Sequence, residues 1–266
     1  MKALVTGGRG FIGSHLVREF PESSHVIDIK DDVRKFEFPG QYDIVFHLAA
    51  KCMIRDCIKD PMLSHSHNAL GTFNILEQMR QTDCDKIIYF SSERVMSKQK
   101  NPYVASKIYG EELCKAYQEC YGIKYKIVRP SSVYGEGDST DRIVPRFIKN
   151  ALNNKDLVIY GDRTKSLDIT YIKDFMQALK IIVEIAPWND EFDVGNNKEV
   201  NINEMAKFII KESYSNSKII NGAEESAQPQ KVKVDNTKIK DLGYIQKYQW
   251  EEGIRKTIKW VRNENK

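Results

Sequence analysis

The sequence predicts an α/β protein: a doubly wound parallel sheet followed by a smaller C-terminal α+β region. Three observations lead there. Through the first half, short apolar, β-prone runs alternate with longer segments of helical spacing, a grain that reads as parallel strands covered on both faces. A glycine-rich turn joins the first run to the first helical segment. Beyond about Gly135 the alternation gives way to helices separated by short strands.

The elements follow in order. Lys2–Thr6 is the first strand, and Phe11–Phe20 carries apolar residues at helical spacing. His25–Ile29, Ile44–Ala49, Lys86–Ser91 and Tyr125–Arg129 are the next strands, with helices expected over Asn68–Gln81 and Tyr103–Tyr121. Crossovers between parallel strands are right-handed. In the C-terminal part, helices are expected over Val144–Asn154, Asp174–Ile185, Ile202–Glu212 and Trp250–Asn263. Short strands fall at Leu157–Tyr160, Ile169–Ile172 and Phe192–Val194, and the polar stretch Asn221–Gln230 reads as a loop.

Composition bounds the function classes. The 266 residues suit one or two domains, and 41% hydrophobic with 29% charged residues describes a globular chain with a sizeable core. The net charge of +4 is spread among interleaved acids and bases, not gathered into the basic stripe that nucleic acid requires. No apolar run approaches the roughly 18 residues of a membrane helix, and Met1–Thr6 runs into glycines without a signal-like stretch. The expectation is a cytoplasmic protein with neither a nucleic-acid nor a membrane partner. Cys52, Cys57, Cys84, Cys114 and Cys120 form no CxxC pair, which suits reduced, mostly buried thiols and no metal.

Two motifs carry chemistry. Gly7, Gly10 and Gly13 lie between the first strand and the first helix, where glycines let a pyrophosphate approach the free N–H groups of the helix start. Asp28, at the end of the second strand, can accept from adenosine ribose hydroxyls and repels a 2′-phosphate. Tyr103 and Lys107 stand four apart, on one helix face. A lysine ammonium favours the phenolate form of a neighbouring tyrosine and makes it usable as a base. Taken alone, the pair also reads as an exposed helical pair. Ser91-Ser92 lifts it, because it ends a strand at the edge of a parallel sheet where ligands gather.

Taken together, the motifs resemble an extended short-chain dehydrogenase/reductase of the NAD-dependent epimerase/dehydratase group, which acts on nucleotide sugars. The carriers are Thr6-Gly7-Gly8-x-Gly10-x-x-Gly13, Phe46-His47-Leu48-Ala49-Ala50, Asn68-x-x-Gly71-Thr72, Phe90-Ser91-Ser92-x-x-Val95, Tyr103-x-x-x-Lys107 and Arg129-Pro130-x-x-Val133-Tyr134-Gly135. Tyr160-Gly161-Asp162, Asp168-x-x-Tyr171-x-x-Asp174, Val194-Gly195-Asn196 and Leu242-Gly243-Tyr244 extend the match along the C-terminal part. The resemblance implies a Rossmann-like fold, with residues 1–135 binding NAD, a later segment around 155–200 contributing, and 136–266 mainly binding substrate.

It also implies roles. Tyr103 is the general base, Lys107 holds the nicotinamide ribose and lowers the tyrosine pKa, and Ser92 hydrogen-bonds the reacting oxygen. Gly7, Gly10, Phe11, Ile12 and Asp28 bind the cofactor, Asp32 and Val33 meet adenine, and Leu48, Ala49, Ala50, Ser91, Pro130 and Val133 complete its lining. Asn68 and His47 are structural. Glu93, Arg94, Ser132, Arg142 and Arg163 are the substrate-side candidates. Helices Asn68–Gln81 and Tyr103–Tyr121 are the pair that forms a four-helix homodimer interface in the family, their faces carrying Ile75, Leu76, Met79, Leu113, Ala116 and Tyr117.

The chain departs from the family pattern in several places. A helix and a strand between Asp28 and Asp32-Val33 are missing, and only ten residues separate Ser92 from Tyr103. Arg94 stands where dehydratases carry glutamate, and Glu93, one residue early, is expected to point elsewhere. Ser132 replaces the usual asparagine before Val-Tyr-Gly, and Leu167 replaces an arginine that grips the diphosphate. Around Pro229 the second such arginine is also absent, with Ala227, Gln228 and Gln230 there instead. The expected activity is NAD-dependent 4-epimerisation of a nucleotide sugar through transient oxidation at C4. A 4-dehydrogenase or ketoreductase, a 4,6-dehydratase and an NAD-sensing binding protein are the alternatives.

Overall fold

The computed structural model describes residues 2–20, 24–28, 31–223 and 234–264. The chain divides into two compact units: Met1–Met96, Lys100–Pro130 and Ile182–Phe192 form the first, and Ser97–Gln99, Ser131–Ile181 and Asp193–Lys266 the second. The expected boundary at residue 135 therefore falls five residues earlier, where the chain leaves the sheet after Pro130. Of the 155–200 segment, 182–192 joins the first unit.

The first unit is built on β1 (Ala3–Thr6), β2 (Ser24–Ile27), β3 (Ile44–His47), β4 (Lys86–Phe90), β5 (Lys124–Pro130) and an edge strand Asp190–Val194, in the order β2-β1-β3-β4-β5-edge. Pairings along β2-β1-β3-β4-β5 are all parallel. β1 and β3 are buried along their whole length, as strands covered on both faces must be.

Helices α1 (Phe11–Glu19), α2 (Ile54–Lys59), α3 (Pro61–Ser64), α4 (Gly71–Arg80) and α5 (Pro102–Tyr121) connect these strands. α4 buries Thr72, Ile75, Leu76 and Met79, the i, i+3, i+4, i+7 stripe of a core-facing helix. A π-helical turn, His65–Leu70, precedes α4 where a single helix Asn68–Gln81 is expected. α2 and α3 are too short to leave a period in the sequence.

No α-helix or strand forms between Asp28 and β3 among the described residues, and β2 is the sheet edge. The connection is pinned to α4 instead. Asn74 donates its side-chain amide to the carbonyls of Val33 and Phe36 at 2.9 Å each. A Cβ on Gly71 would stand 2.7 Å from Val33 Cγ1, so only glycine lets the connection lie this close.

The second unit holds β6 (Ser132–Tyr134), β7 (Leu157–Tyr160), β8 (Ser166–Tyr171), β10 (Glu199–Asn201) and β11 (Ile219–Gly222), where the edge strand of the first sheet is β9. They form a three-stranded β10-β8-β6 sheet and a β11-β7 pair. β11 corrects the expected loop at its start: Asn221 and Gly222 pair with Ile159 and Tyr160, while 224–233, including Pro229 and its neighbours, lie outside the described residues. Helices α6 (Ile143–Leu152), α7 (Ile172–Glu184), α8 (Ile202–Glu212), α9 (Thr237–Asp241) and α10 (Trp250–Glu264) complete the chain. α8 starts at Asn201, whose side chain accepts from the backbone of Asn203 and Glu204, and it buries Ile202, Met205, Ala206 and Ile209. Among the described residues no helix is long and apolar enough to cross a membrane, and no His/Cys/Asp/Glu group fits a metal.

Candidate active site

The glycine turn follows from close backbone approaches. Gly7 has φ +71°, and a Cβ there would lie 2.9 Å from Ala49 N. A Cβ on Gly13 would lie 2.2 Å from the Gly7 carbonyl oxygen. Gly10 caps α1 with no side-chain acceptor, which leaves the helix start free for an anion. Asp28 Oδ2 accepts the Arg9 backbone N–H at 2.9 Å, fixing the acid against the turn. Phe11 and Ile12 are half-buried in the first turn of α1. Asp32 is held by Arg34 Nε and Nη2 at 2.7 and 2.8 Å, and that hydrogen bonding lowers its pKa to about 2. Val33 packs against the core of the first unit.

Behind the loop after β3, buried polar groups form a chain. Thr72 donates to the Asn68 carbonyl at 2.7 Å, so it accepts from His47 Nε2 at 3.0 Å. His47 Nδ1 then accepts from Thr6 Oγ1 at 2.7 Å. Thr6 Oγ1 in turn accepts the Ala49 N–H at 3.0 Å. This chain anchors Leu48, Ala49 and Ala50, all half-buried. Burial, with the Lys107 cation second, lowers the His47 pKa to about 3, so the imidazole is neutral. Asn68 is bound to Lys51 through both its N–H and its carbonyl and to Ser106 Oγ at 3.0 Å, bridging the same loop to α5.

α5 carries the central pair. Asn101 caps it by accepting the Val104 N–H at 3.0 Å, Pro102 opens it, and Gly122 closes it at φ +75°. Tyr103 and Lys107 are both buried, one turn apart. Lys107 Nζ donates to the Phe90 carbonyl at 2.7 Å and lies 5.0 Å from the Tyr89 ring centre. Burial lowers its pKa to about 8.

The Tyr103 phenol is raised above its ordinary range, first by burial. Cys52 and Glu93 add to the rise, while a hydrogen bond with Ser92 and the Arg94 cation oppose it. In this structure the opposing groups are therefore Ser92 and Arg94, with the lysine committed to Phe90. Ser91 Oγ is buried with no partner among the described residues, an orphan consistent with a bound ligand.

Glu93 lies differently from the expectation. Glu93–Met96 is a 3-10 turn, so alternation of facing along a strand does not apply. Ser92 Oγ donates to Glu93 Oε2 at 3.2 Å, and Arg94 Nε pairs with Glu93 Oε1 at 3.5 Å. The carboxylate thus sits beside the serine and acts on Tyr103. Sequence reasoning also missed Cys52, an exposed thiol whose charge would act on both Tyr103 and Lys107. Its signal was its position two residues beyond Ala50.

Pro130 ends β5 and is half-buried. Ser132, Val133, Arg142 and Arg163 belong to the second unit. Arg142 pairs with Asp138 at 3.0 Å, and Arg163 binds Asn221 Oδ1 and the Ile219 carbonyl, tying β11 to the turn after β7. On the helices expected to form an interface, Ile75, Leu76, Met79 and Tyr117 are instead buried in the first unit's own core, while Leu70, Phe73, Tyr109 and Tyr121 are exposed.

The profile of the NAD dependent epimerase/dehydratase family matches residues 3–195. The chain belongs to this family. It is an enzyme, and NAD is its cofactor. The enzyme is 30% identical to a putative UDP-glucose 4-epimerase of Methanocaldococcus jannaschii over 99% of both chains. It is 28% identical to a UDP-N-acetyl-alpha-D-glucosaminuronate decarboxylase of Bacillus cytotoxicus over 98% of both. Among solved structures it resembles a UDP-glucuronic acid 4-epimerase of Bacillus cereus bound to UDP-glucuronic acid and NAD. That match has a TM-score of 0.92 and 25% identity over 99% of the enzyme and 100% of that chain. The fold also matches the UDP-glucose 4-epimerase of Thermus thermophilus, at TM-score 0.88 and 22% identity over 98% and 99% of the two chains. The glycine turn, the uncapped start of α1 and Asp28 fit the cofactor's pyrophosphate and ribose.

Proposed function

We propose that the enzyme is a nucleotide-sugar 4-epimerase. NAD, when bound, supplies the hydride acceptor and returns the hydride. Gly7, Gly10, Phe11 and Ile12 receive the pyrophosphate and Asp28 the adenosine ribose, with Asp32 and Val33 toward adenine. Leu48, Ala49, Ala50, Ser91 and Pro130 line the cofactor, and Val133 is a candidate of the second unit. Lys107 orients the nicotinamide ribose, Ser92 steadies the reacting oxygen, and Tyr103 accepts the proton of the C4 hydroxyl. The observation that carries this reading is that Tyr103 and Lys107 are buried one turn apart on α5, with Lys107 Nζ bound to the Phe90 carbonyl at the C-terminal end of β4, beside Ser91-Ser92. Ser132, Arg142 and Arg163 are the substrate-side candidates of the second unit.

A 4,6-dehydratase is the second reading, because the Glu93 carboxylate stands at the serine. The ion pair with Arg94 argues against it: a guanidinium occupies the position where a base is needed. Incubating the NAD-loaded enzyme with UDP-glucose and UDP-glucuronic acid, with mass spectrometry and NMR of the products, decides. Epimerisation keeps the mass and inverts C4, and a product lighter by one water establishes the dehydratase. We further propose a homodimer, supported by exposed Leu70, Phe73 and Tyr109 around α4 and α5. Light scattering on the wild type and Phe73→Glu tests it, a wild-type monomer refuting it.

A further inference from the structure

The face of β4 that looks onto α5 carries Tyr89, one residue before the carbonyl that holds Lys107. Tyr89 is fully buried, and its ring is fixed from two sides. Across the sheet it pairs with His47 of β3, the two rings stacked with centres 5.9 Å apart and planes at 29°. His47 is itself held by Thr6 and Thr72. On the α5 side, a Cβ on Gly110 would stand 2.2 Å from the Tyr89 hydroxyl oxygen, so a glycine is what lets the helix settle against the ring. Three residues earlier on α5, Lys107 Nζ lies over the ring face, 5.0 Å from its centre.

Lys107 is 3% exposed, and a buried ammonium needs partners. The carboxylate one turn further along α5, Glu111, is already taken: Arg129 Nε and Nη2 donate to its two oxygens at 2.8 and 2.5 Å. The groups that do hold Lys107 are the Phe90 carbonyl at 2.7 Å and the Tyr89 ring. The carbonyl uses one ammonium proton. The ring attracts the charge through its electron-rich face and takes neither of the other two in a conventional hydrogen bond. We propose that Tyr89 is a positioning residue for the cofactor: its ring face holds the Lys107 ammonium in place and leaves two protons for the hydroxyls of the nicotinamide ribose. A carboxylate partner would hold the ammonium too, but it would compete for those protons and cancel the local charge. This rests on the reading of Lys107 as the lysine of the nicotinamide ribose. Tyr89, being fully buried, acts only through Lys107.

The test changes the ring's charge distribution and keeps its shape. Tyr89→Phe is compared with phenylalanines carrying one, two and three ring fluorines at position 89, because each fluorine withdraws electron density from the ring face and weakens its pull on a cation. Calorimetry on every protein measures NAD and ADP, which has the adenosine and the pyrophosphate but no nicotinamide ribose. Tyr89→Phe keeps the face and should bind NAD within about twofold of the wild type. NAD affinity should then fall with each fluorine, by roughly tenfold or more across the series, while ADP affinity stays constant. NAD affinity that stays level along the series, or that falls in step with ADP affinity, refutes the role of Tyr89. Lys107→Met separates this role from the reading beneath it. Weakened NAD binding with unchanged ADP binding is the expected result. Unchanged NAD binding refutes the ribose role of Lys107 and the role of Tyr89 with it. Neither measurement uses a sugar, so the epimerase reading stands or falls separately.

Discussion

Acid should unfold the first unit through His47, and the size of the effect follows from its surroundings. The imidazole is 1% exposed, sits between Thr6 and Thr72 and has its pKa lowered by burial to about 3 from 6.5. The folded state therefore holds no proton on His47 where the unfolded chain holds one. The stability this represents is present above the unfolded value of 6.5 and lost as pH falls toward the folded value of about 3. At 1.36 kcal/mol per pKa unit, the loss from this one group between pH 7 and pH 4 is about 3 kcal/mol. Carboxylates titrate over part of the same range, so the contribution is isolated by comparison with His47→Gln. Urea midpoints at a series of pH values would give both curves. The wild type should lose about 3 kcal/mol more than the variant between pH 7 and pH 4, although the variant starts lower for want of its hydrogen bonds. Parallel curves would refute the neutral, buried assignment of His47.

Other outcomes follow from single contacts. Gly13→Ala places a Cβ 2.2 Å from the Gly7 carbonyl oxygen, and calorimetry should show NAD binding weakened by at least about tenfold, with about 1–3 kcal/mol of lost stability. Arg129 binds Glu111 through Nε and Nη2 at 2.8 and 2.5 Å and Glu191 at 2.5 Å. Arg129→Met leaves Glu111 buried without its cation, and thermal unfolding should report a loss of about 3–5 kcal/mol. Tyr103→Phe should bind NAD like the wild type and lose roughly 10²–10⁴-fold in turnover, read by single-turnover absorbance.

The parts of the fold legible in sequence were those with a period. Ile202–Glu212 shows its apolar spacing, and both boundaries fall where that spacing places them. α5 was legible from the apolar spacing after Tyr103, and its Asn101-Pro102 start extends it by one residue. Elements of four to six residues, such as Ile54–Lys59 and Pro61–Ser64, span too few turns to show a stripe. The π-helical turn at His65–Leu70 keeps helix-like spacing and cannot be told from α-helix by pattern. Ser132–Tyr134 and Ile219–Gly222 become strands through partners far along the chain, Ile169–Tyr171 and Leu157–Tyr160, which local propensity does not register. In the site, the glycine turn and the Tyr103–Lys107 pair were legible because the chemistry fixes their spacing. The position of Glu93 was not, because it depends on a 3-10 turn that four residues of sequence do not announce.

The central claim is tested most directly by product analysis on the NAD-loaded enzyme with UDP-glucose and UDP-glucuronic acid, followed by proton NMR and mass spectrometry. A product of unchanged mass with the configuration at C4 inverted is the predicted result. A product lighter by water or by carbon dioxide would contradict it.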